Sequence, residues 1–273
     1  MEQKVVNETF PIAGTSLGVK LIGDVAKASK SNAPVLLFLH EALGSIPQWK
    51  SFPKELSEAV SLPAVIYERQ GFGSSASRDQ MPAKDYLEKE AWEVLPAVLA
   101  YFNLSKVILV GHSDGGSIAL LFASRFPDRV AGIITEAAHV FVETETLEGI
   151  QEVVEVYEEK IKPKLQRYHG DKTDAVFEAW FQTWLSPTFA DWNIEQYLPN
   201  IVSDALIIQG ANDRYGTIKQ MDAITNSLEG MTEAYWIPDC GHTPHAEFPE
   251  LVLEKMSEFI NQLKLQHTKD RLQ

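Results

Sequence analysis

The segment Gly111-His112-Ser113-Asp114-Gly115-Gly116 directly follows the apolar run Val107-Ile108-Leu109-Val110, and no other stretch constrains this chain as strongly. A serine on a tight strand-to-helix turn is approachable only if the residues two before and two after it lack bulk. Gly111 and Gly115 meet that need. Such a turn points the hydroxyl off the end of the strand. It also aims the Asp114 N–H and the positive end of the next helix at the same spot. The run Ser117-Ile118-Ala119-Leu120-Leu121-Phe122-Ala123 then suits a buried helix, which Pro127 stops. Small residues cluster in many turns, so by itself the pattern also fits an ordinary strand-turn-helix.

A serine hydroxyl needs a base, and the base needs an acid to hold it. The candidate acid is Asp213, in the turn Gly210-Ala211-Asn212-Asp213 after the strand-like Ala205-Leu206-Ile207-Ile208-Gln209. The candidate base is His242, in Asp239-Cys240-Gly241-His242-Thr243-Pro244-His245 after Ala234-Tyr235-Trp236-Ile237. Both follow the carboxyl ends of expected strands, where open α/β sheets bind ligands. Asp239 and Asp191 are rival acids; the first is too close to His242 in sequence to orient it easily, and the second lies in an expected insertion. A third loop, His40-Glu41-Ala42-Leu43-Gly44-Ser45, follows the strand Val35-Leu36-Leu37-Phe38-Leu39. Its Ala42 N–H, paired with that of Asp114, would form an oxyanion hole. His40 and His112 flank the site and read as structural. His242 and His245 are spaced like a metal pair, but no third ligand stands at metal-site spacing, so neither metal nor cofactor is expected.

These segments, in this order, resemble the α/β-hydrolase fold superfamily along nearly the whole chain. Glu68-Arg69-Gln70-Gly71-Phe72-Gly73-Ser74-Ser75 is similar to the superfamily's D-x-R-G-x-G-x-S turn, with Glu and Gln in place of its Asp and Arg. Glu41 stands where the family usually has glycine. The resemblance implies a serine hydrolase: Ser113 as nucleophile, His242 as base, Asp213 as its partner, and Ala42 and Asp114 as oxyanion donors. A small carboxylic ester, or a related acyl compound, is the expected substrate. A carbon–carbon hydrolase of the meta-cleavage type and a non-catalytic ligand-binding member of the fold remain alternatives. The Ser-Asp-Gly-Gly elbow further resembles valacyclovir hydrolase-like enzymes. By that resemblance Asp114, helped by Glu41, would bind a substrate ammonium group. The plainer expectation is that Asp114 complements the helix N-terminus and Glu41 pairs with a cation.

Short apolar runs alternating with helical segments argue for an α/β fold, a mostly parallel central sheet flanked by helices. Residues 4–9 and 17–25 read as a β-pair around Gly14, residues 84–102 as a helix that Pro96 should kink, and 251–263 as the last helix, with a frayed tail after Gln266. About 65 residues separate the strand near Thr135 from the one near Ala205, too many for a simple loop. An acidic helix from Glu145 to Tyr168 is expected there. A second helix should follow, with Phe177, Trp180, Phe181 and Trp184 at i, i+3, i+4, i+7. The expected organisation is a core of 1–136 and 204–273 with a helical cap at 137–203. Trp180 and Trp184 are candidate substrate-binding residues, with the cap's own core as the alternative use of the stripe.

Composition narrows the setting. The 273-residue chain is 45% hydrophobic, ample for a large core, and has a formal net charge of -14. That charge disfavours nucleic acid and anionic membranes as partners. A small-molecule substrate is the expected partner, and homodimerisation is left open. The single cysteine, Cys240, excludes an intramolecular disulfide. With no signal-like N-terminus, it fits a reducing cytoplasm.

Overall fold

The structure, a computed structural model, describes residues 4–270, the side chains of 267–270 aside. Strands β1 (Val5–Ile12) and β2 (Thr15–Ile22) form the opening hairpin. The second strand stops short of the expected residue 25. Gly23 at φ 76° turns the chain, and Asp24 accepts from the Lys27 N–H to cap helix α1 (Val25–Ser31). The other strands are β3 (Val35–Leu39), β4 (Ala64–Tyr67), β5 (Val107–His112), β6 (Val130–Glu136), β7 (Ala205–Gly210) and β8 (Thr232–Ile237). All eight join one sheet in the order β1-β2-β4-β3-β5-β6-β7-β8. The pairings of β2 with β1 and β4 are antiparallel, and the rest are parallel.

Every residue of β3, β5, β6 and β7 is buried. Successive side chains point to opposite faces, so Val35, Leu37 and Leu39 enter one half of the core and Leu36 and Phe38 the other. Helices cover both faces, which is why these strands read as unbroken apolar runs. Helix α2 (Phe52–Val60) packs on the Leu36 face.

The helix expected over 84–102 is divided. It consists of α3 (Tyr86–Lys89), a π turn over Glu90–Val94, and α4 (Leu95–Tyr101). Pro96 has no N–H for the Trp92 carbonyl, and its ring would clash there; the wider turn just before it absorbs the misfit. Helix α5 (Asp114–Arg125) runs buried behind the elbow. Between β6 and β7 lie α6 (Thr144–Glu155), α7 (Lys162–His169) and α8 (Thr173–Trp184). The single acidic helix expected from Glu145 to Tyr168 is thus two, separated by a π turn over Tyr157–Ile161. Pro163 is the cause, again two residues past the turn. The chain ends with α9 (Ile218–Thr225), α10 (Pro244–Glu247) and α11 (Pro249–Asp270). Helix α11 starts earlier and runs further than expected, and Val252, Met256, Phe259, Ile260 and Leu263 face the core. The fraying expected past Gln266 falls on side chains outside the described residues. Among the described residues no helix is long and apolar enough to cross a membrane.

Candidate active site

Ser113 joins β5 to α5 at φ 53° and ψ -118°, a left-handed conformation that costs a non-glycine residue about 1–3 kcal/mol. Neighbouring glycines make the turn possible. A Cβ on Gly111 would lie 2.2 Å from the Gly115 carbonyl oxygen, and one on Gly115 would lie 2.0 Å from that of Leu39. The Ser113 N–H donates to the Glu136 carbonyl of β6 at 2.8 Å, which pins the turn to the sheet. Its hydroxyl makes no hydrogen bond to another described residue and faces a cavity.

His242 lines the same cavity. Its Nδ1 donates to Asp213, 2.9 Å from Oδ1 and 2.8 Å from Oδ2. Asp213 in turn accepts from the Tyr215 N–H at 2.8 Å and from Gln209 Nε2 at 2.7 Å. Burial opposes ionisation of Asp213, but His242 and these donors outweigh it and hold the carboxyl at about 2. Burial likewise opposes charge on His242; the Asp213 carboxylate, helped by Glu41 and Glu247, outweighs it and holds the imidazole above its ordinary 6.5. His112 Nε2 donates to the His242 carbonyl at 2.7 Å and the Tyr215 ring stands edge-on to the imidazole at 4.6 Å, fixing His242 from behind and from the side.

The rival residues lie elsewhere. Asp239 is exposed, and Asp191 pairs with Lys84 at 2.7 Å on the surface. His245 is buried, with Nδ1 2.9 Å from Glu136 Oε2 and its ring stacked 4.4 Å from Trp49. His40 is also structural: its Nε2 accepts from the Arg69 N–H at 3.0 Å while Nδ1 donates to the Glu41 carbonyl at 2.7 Å.

The two acids singled out in the sequence differ from expectation. Among the described residues Glu41 makes no ion pair: its Oε2 accepts from the Leu43 N–H at 2.5 Å, and Gln48 Nε2 approaches Oε1 at 3.3 Å. Burial raises its carboxyl above the usual range. Asp114 does more than complement the helix terminus. Its Oδ2 accepts from Arg69 Nη1 at 3.1 Å and from the Tyr86 hydroxyl at 2.9 Å, deep in the protein. An incoming ammonium group would therefore find that oxygen already held by a guanidinium.

The cavity measures about 560 Å³. Ser113, Asp114, Ala42, His139, Tyr215 and His242 form its floor and sides. The helices between β6 and β7 supply the opposite wall, through Ile150, Leu165, Tyr168, Trp180 and Trp184. The aromatic stripe of α8 is thus split in use. Phe177 packs inside the insertion, stacked 3.7 Å from Tyr157. Trp180 is half-buried and faces the cavity. Trp184 reaches the cavity but is 3% exposed, packed on Phe189 and Trp192, with Nε1 donating to the Tyr86 hydroxyl at 3.0 Å.

Four residues near the site escaped sequence reasoning: Arg69, His139, Tyr215 and His169. Of these, only Arg69 stands in a segment with a recognisable motif. His139 Nε2 donates to the Tyr215 carbonyl at 2.9 Å, with its ring 6.0 Å from that of His242. His169, at the end of α7, donates from Nε2 to the Leu43 carbonyl at 2.9 Å and accepts the Gly73 N–H at Nδ1 at 3.0 Å. It ties the insertion to the Ala42 loop.

Comparison with known proteins places this geometry in context. Residues 34–193 match the alpha/beta hydrolase fold family. The chain is 27% identical over 251 residues to a putative esterase/lipase of Haemophilus influenzae, with 84% of each chain covered. It is 26% identical over 219 residues to the human serine hydrolase BPHL, covering 78% of this chain and 73% of that protein. A serine hydrolase from the polyaromatic hydrocarbon-degrading bacterium Cycloclasticus zankles superimposes with a TM-score of 0.78, covering 94% of this chain and 98% of that one, at 16% identity. At that identity the superposition speaks for the fold alone.

Proposed function

The chain belongs to the alpha/beta hydrolase fold family, and from that premise we propose that this hydrolase cleaves small carboxylic esters through an acyl-enzyme. Ser113 attacks the ester carbonyl. His242 takes its proton at Nε2 and returns it to the departing alcohol. Asp213 holds the Nδ1–H tautomer and stabilises the imidazolium. The N–H groups of Ala42 and Asp114 receive the oxyanion. Water, activated by the same histidine, then releases the acid. The observation that carries this reading is the His242–Asp213 pair facing the cavity into which the strained Ser113 turn opens. Residues 137–203 serve as a cap, with Trp180 against the substrate.

A fluorophosphonate adduct located by mass spectrometry tests the nucleophile; it should fall on Ser113, and Ser113→Ala should lower turnover by several orders of magnitude. An active, folded enzyme left unlabelled at Ser113 would remove this reading. Faster turnover of a meta-cleavage dienoate than of an aryl ester would favour carbon–carbon hydrolysis instead.

A substrate ammonium group is a second element, and it falls to Glu41 rather than Asp114. Glu41 presents a cavity-lining carboxyl that makes no ion pair among the described residues, whereas Arg69 is paired with Asp114. Valine esters should then be cleaved faster than isovalerate esters of the same alcohol, and Glu41→Gln should abolish the difference. Equal rates in the wild type would rule out amino-group recognition and leave ester hydrolysis untouched.

A further inference from the structure

Arg69 sits just past the end of β4 and is 4% exposed, yet its guanidinium does not grip one carboxylate with both arms as buried arginines often do. It splits them. Nη1 donates to Asp114 Oδ2 at 3.1 Å, and Nη2 donates to the Glu41 carbonyl at 2.8 Å. The split leaves Arg69 Nε and Asp114 Oδ1 buried without hydrogen-bond partners among the described residues. A pair built for stability alone would satisfy them, because such atoms are costly to bury.

The two ends of this bridge are the two halves of the oxyanion hole. The Glu41 carbonyl and the Ala42 N–H belong to one planar peptide, so a donor on the oxygen fixes the direction of the N–H. It also draws electron density away from the N–H and makes it a stronger donor. That oxygen receives Arg69 Nη2 and His40 Nδ1, besides the Gly44 N–H of its own loop at 3.0 Å. His40 is itself aligned by the Arg69 backbone N–H at 3.0 Å, so Arg69 acts on this peptide through two routes. At the other end it holds the side chain of the residue that carries the second donor. The Phe72 ring, 4.8 Å from the guanidinium carbon, keeps Arg69 in place.

We propose that Arg69 is a positioning residue that builds the oxyanion hole, setting the Ala42 and Asp114 N–H groups at a fixed separation and polarising the first. The acid beside the nucleophile then has a reason. Asp114 is the anchor for the bridge, and its charge is cancelled by Arg69 rather than turned toward the developing oxyanion. The inference rests on the serine-hydrolase reading above.

The test is Arg69→Lys, assayed on a neutral aryl ester. One ammonium keeps the charge but not the rigid fork that reaches both loops. We expect kcat to fall about 10- to 100-fold, short of or equal to losing one oxyanion donor, with KM within about twofold. Affinity for phenylboronic acid, which forms a tetrahedral anion on the serine, should fall in parallel. Affinity for the alkyl aryl ether isostere of the substrate should not change. If Arg69→Lys does not fold, Arg69→Met combined with Asp114→Leu removes both charges, and the same split is expected. Wild-type kcat and boronate affinity in the folded variant would overturn the inference, as would equal weakening of boronate and ether. Fluorophosphonate labelling of the wild type separates the two failures: without a Ser113 adduct the hydrolase reading itself falls, and with one only the role of Arg69 does.

Discussion

Replacing Asp213 by Asn keeps the shape of the site and removes one charge. In the wild type the carboxyl is held at about 2 against an ordinary 3.8. A depression of that size corresponds to about 2 kcal/mol favouring the folded, ionised form. Because this pKa is depressed, that stability is present above pH 3.8 and is lost as pH falls toward 2. His242 has the opposite sign. Its pKa is raised above 6.5, so its share is full below 6.5 and is lost as pH rises through the folded value. The pair therefore stabilises the protein most between about pH 4 and 6.5, whereas the proposed mechanism needs neutral His242, so kcat/KM should rise with pH above 6.5. In Asp213→Asn the largest charge opposing the burial of His242 is gone and only Glu41 and Glu247 still act on it, so the acidic limb of kcat/KM should move to lower pH. The Asn amide cannot reliably accept from Nδ1–H, and the wrong tautomer should cost about 10⁴ in kcat. Urea denaturation at several pH values, alongside pH–rate profiles for both proteins, measures each part. An acidic limb in the same place in both proteins, or a stability difference that does not shrink between pH 4 and 2, would refute the electrostatic coupling of His242 to Asp213.

Other substitutions separate packing from function. Gly115→Ala forces a methyl to within 2.0 Å of the Leu39 carbonyl, a backbone atom that cannot rotate away. Loss of at least about 1–3 kcal/mol in thermal denaturation, with α5 and the Ser113 turn displaced and turnover reduced, is the expected result. His245→Ala strips the side-chain partner from Glu136, which is 1% exposed; a loss of about 3–5 kcal/mol in stability is expected, with a modest change in kcat per folded molecule. Trp184→Ala should cost about 3–5 kcal/mol in thermal denaturation and affect every substrate alike, because that ring is core. Trp180→Ala should leave melting nearly unchanged and alter acyl-chain preference. His169→Gln should retain activity, since an amide can donate to Leu43 and accept from Gly73, whereas His169→Ala should lower it.

The parts of the site that local sterics and spacing control were legible in the chain itself. The elbow needs small residues at fixed offsets, so Gly111 and Gly115 announce it, and their contacts with the Gly115 and Leu39 carbonyls show why nothing larger fits. Strands buried on both faces must be apolar throughout, so Val35 to Leu39 and Val107 to Val110 declare themselves. The candidates Ser113, Asp213 and His242 follow, because each lies just past the carboxyl end of a strand, β5, β7 and β8 in turn. Pro96 was visible as a break; Pro163 acts the same way inside an acidic helix whose regular pattern hid it.

What the chain did not disclose was the pairing of charges. Glu41 and Asp114 read identically as carboxylates beside a nucleophile, and only the folded arrangement gives one an arginine and leaves the other with an amide N–H. Arg69 meets Asp114 across 45 residues of sequence, and His169 meets Leu43 across 126. No periodicity links residues so far apart. Their meeting depends on the sheet bringing strand ends together and on the inserted helices closing over them. Tertiary structure therefore decides which buried charges cancel and which loops are locked, because burial makes an ion pair strong only where two distant backbones happen to converge.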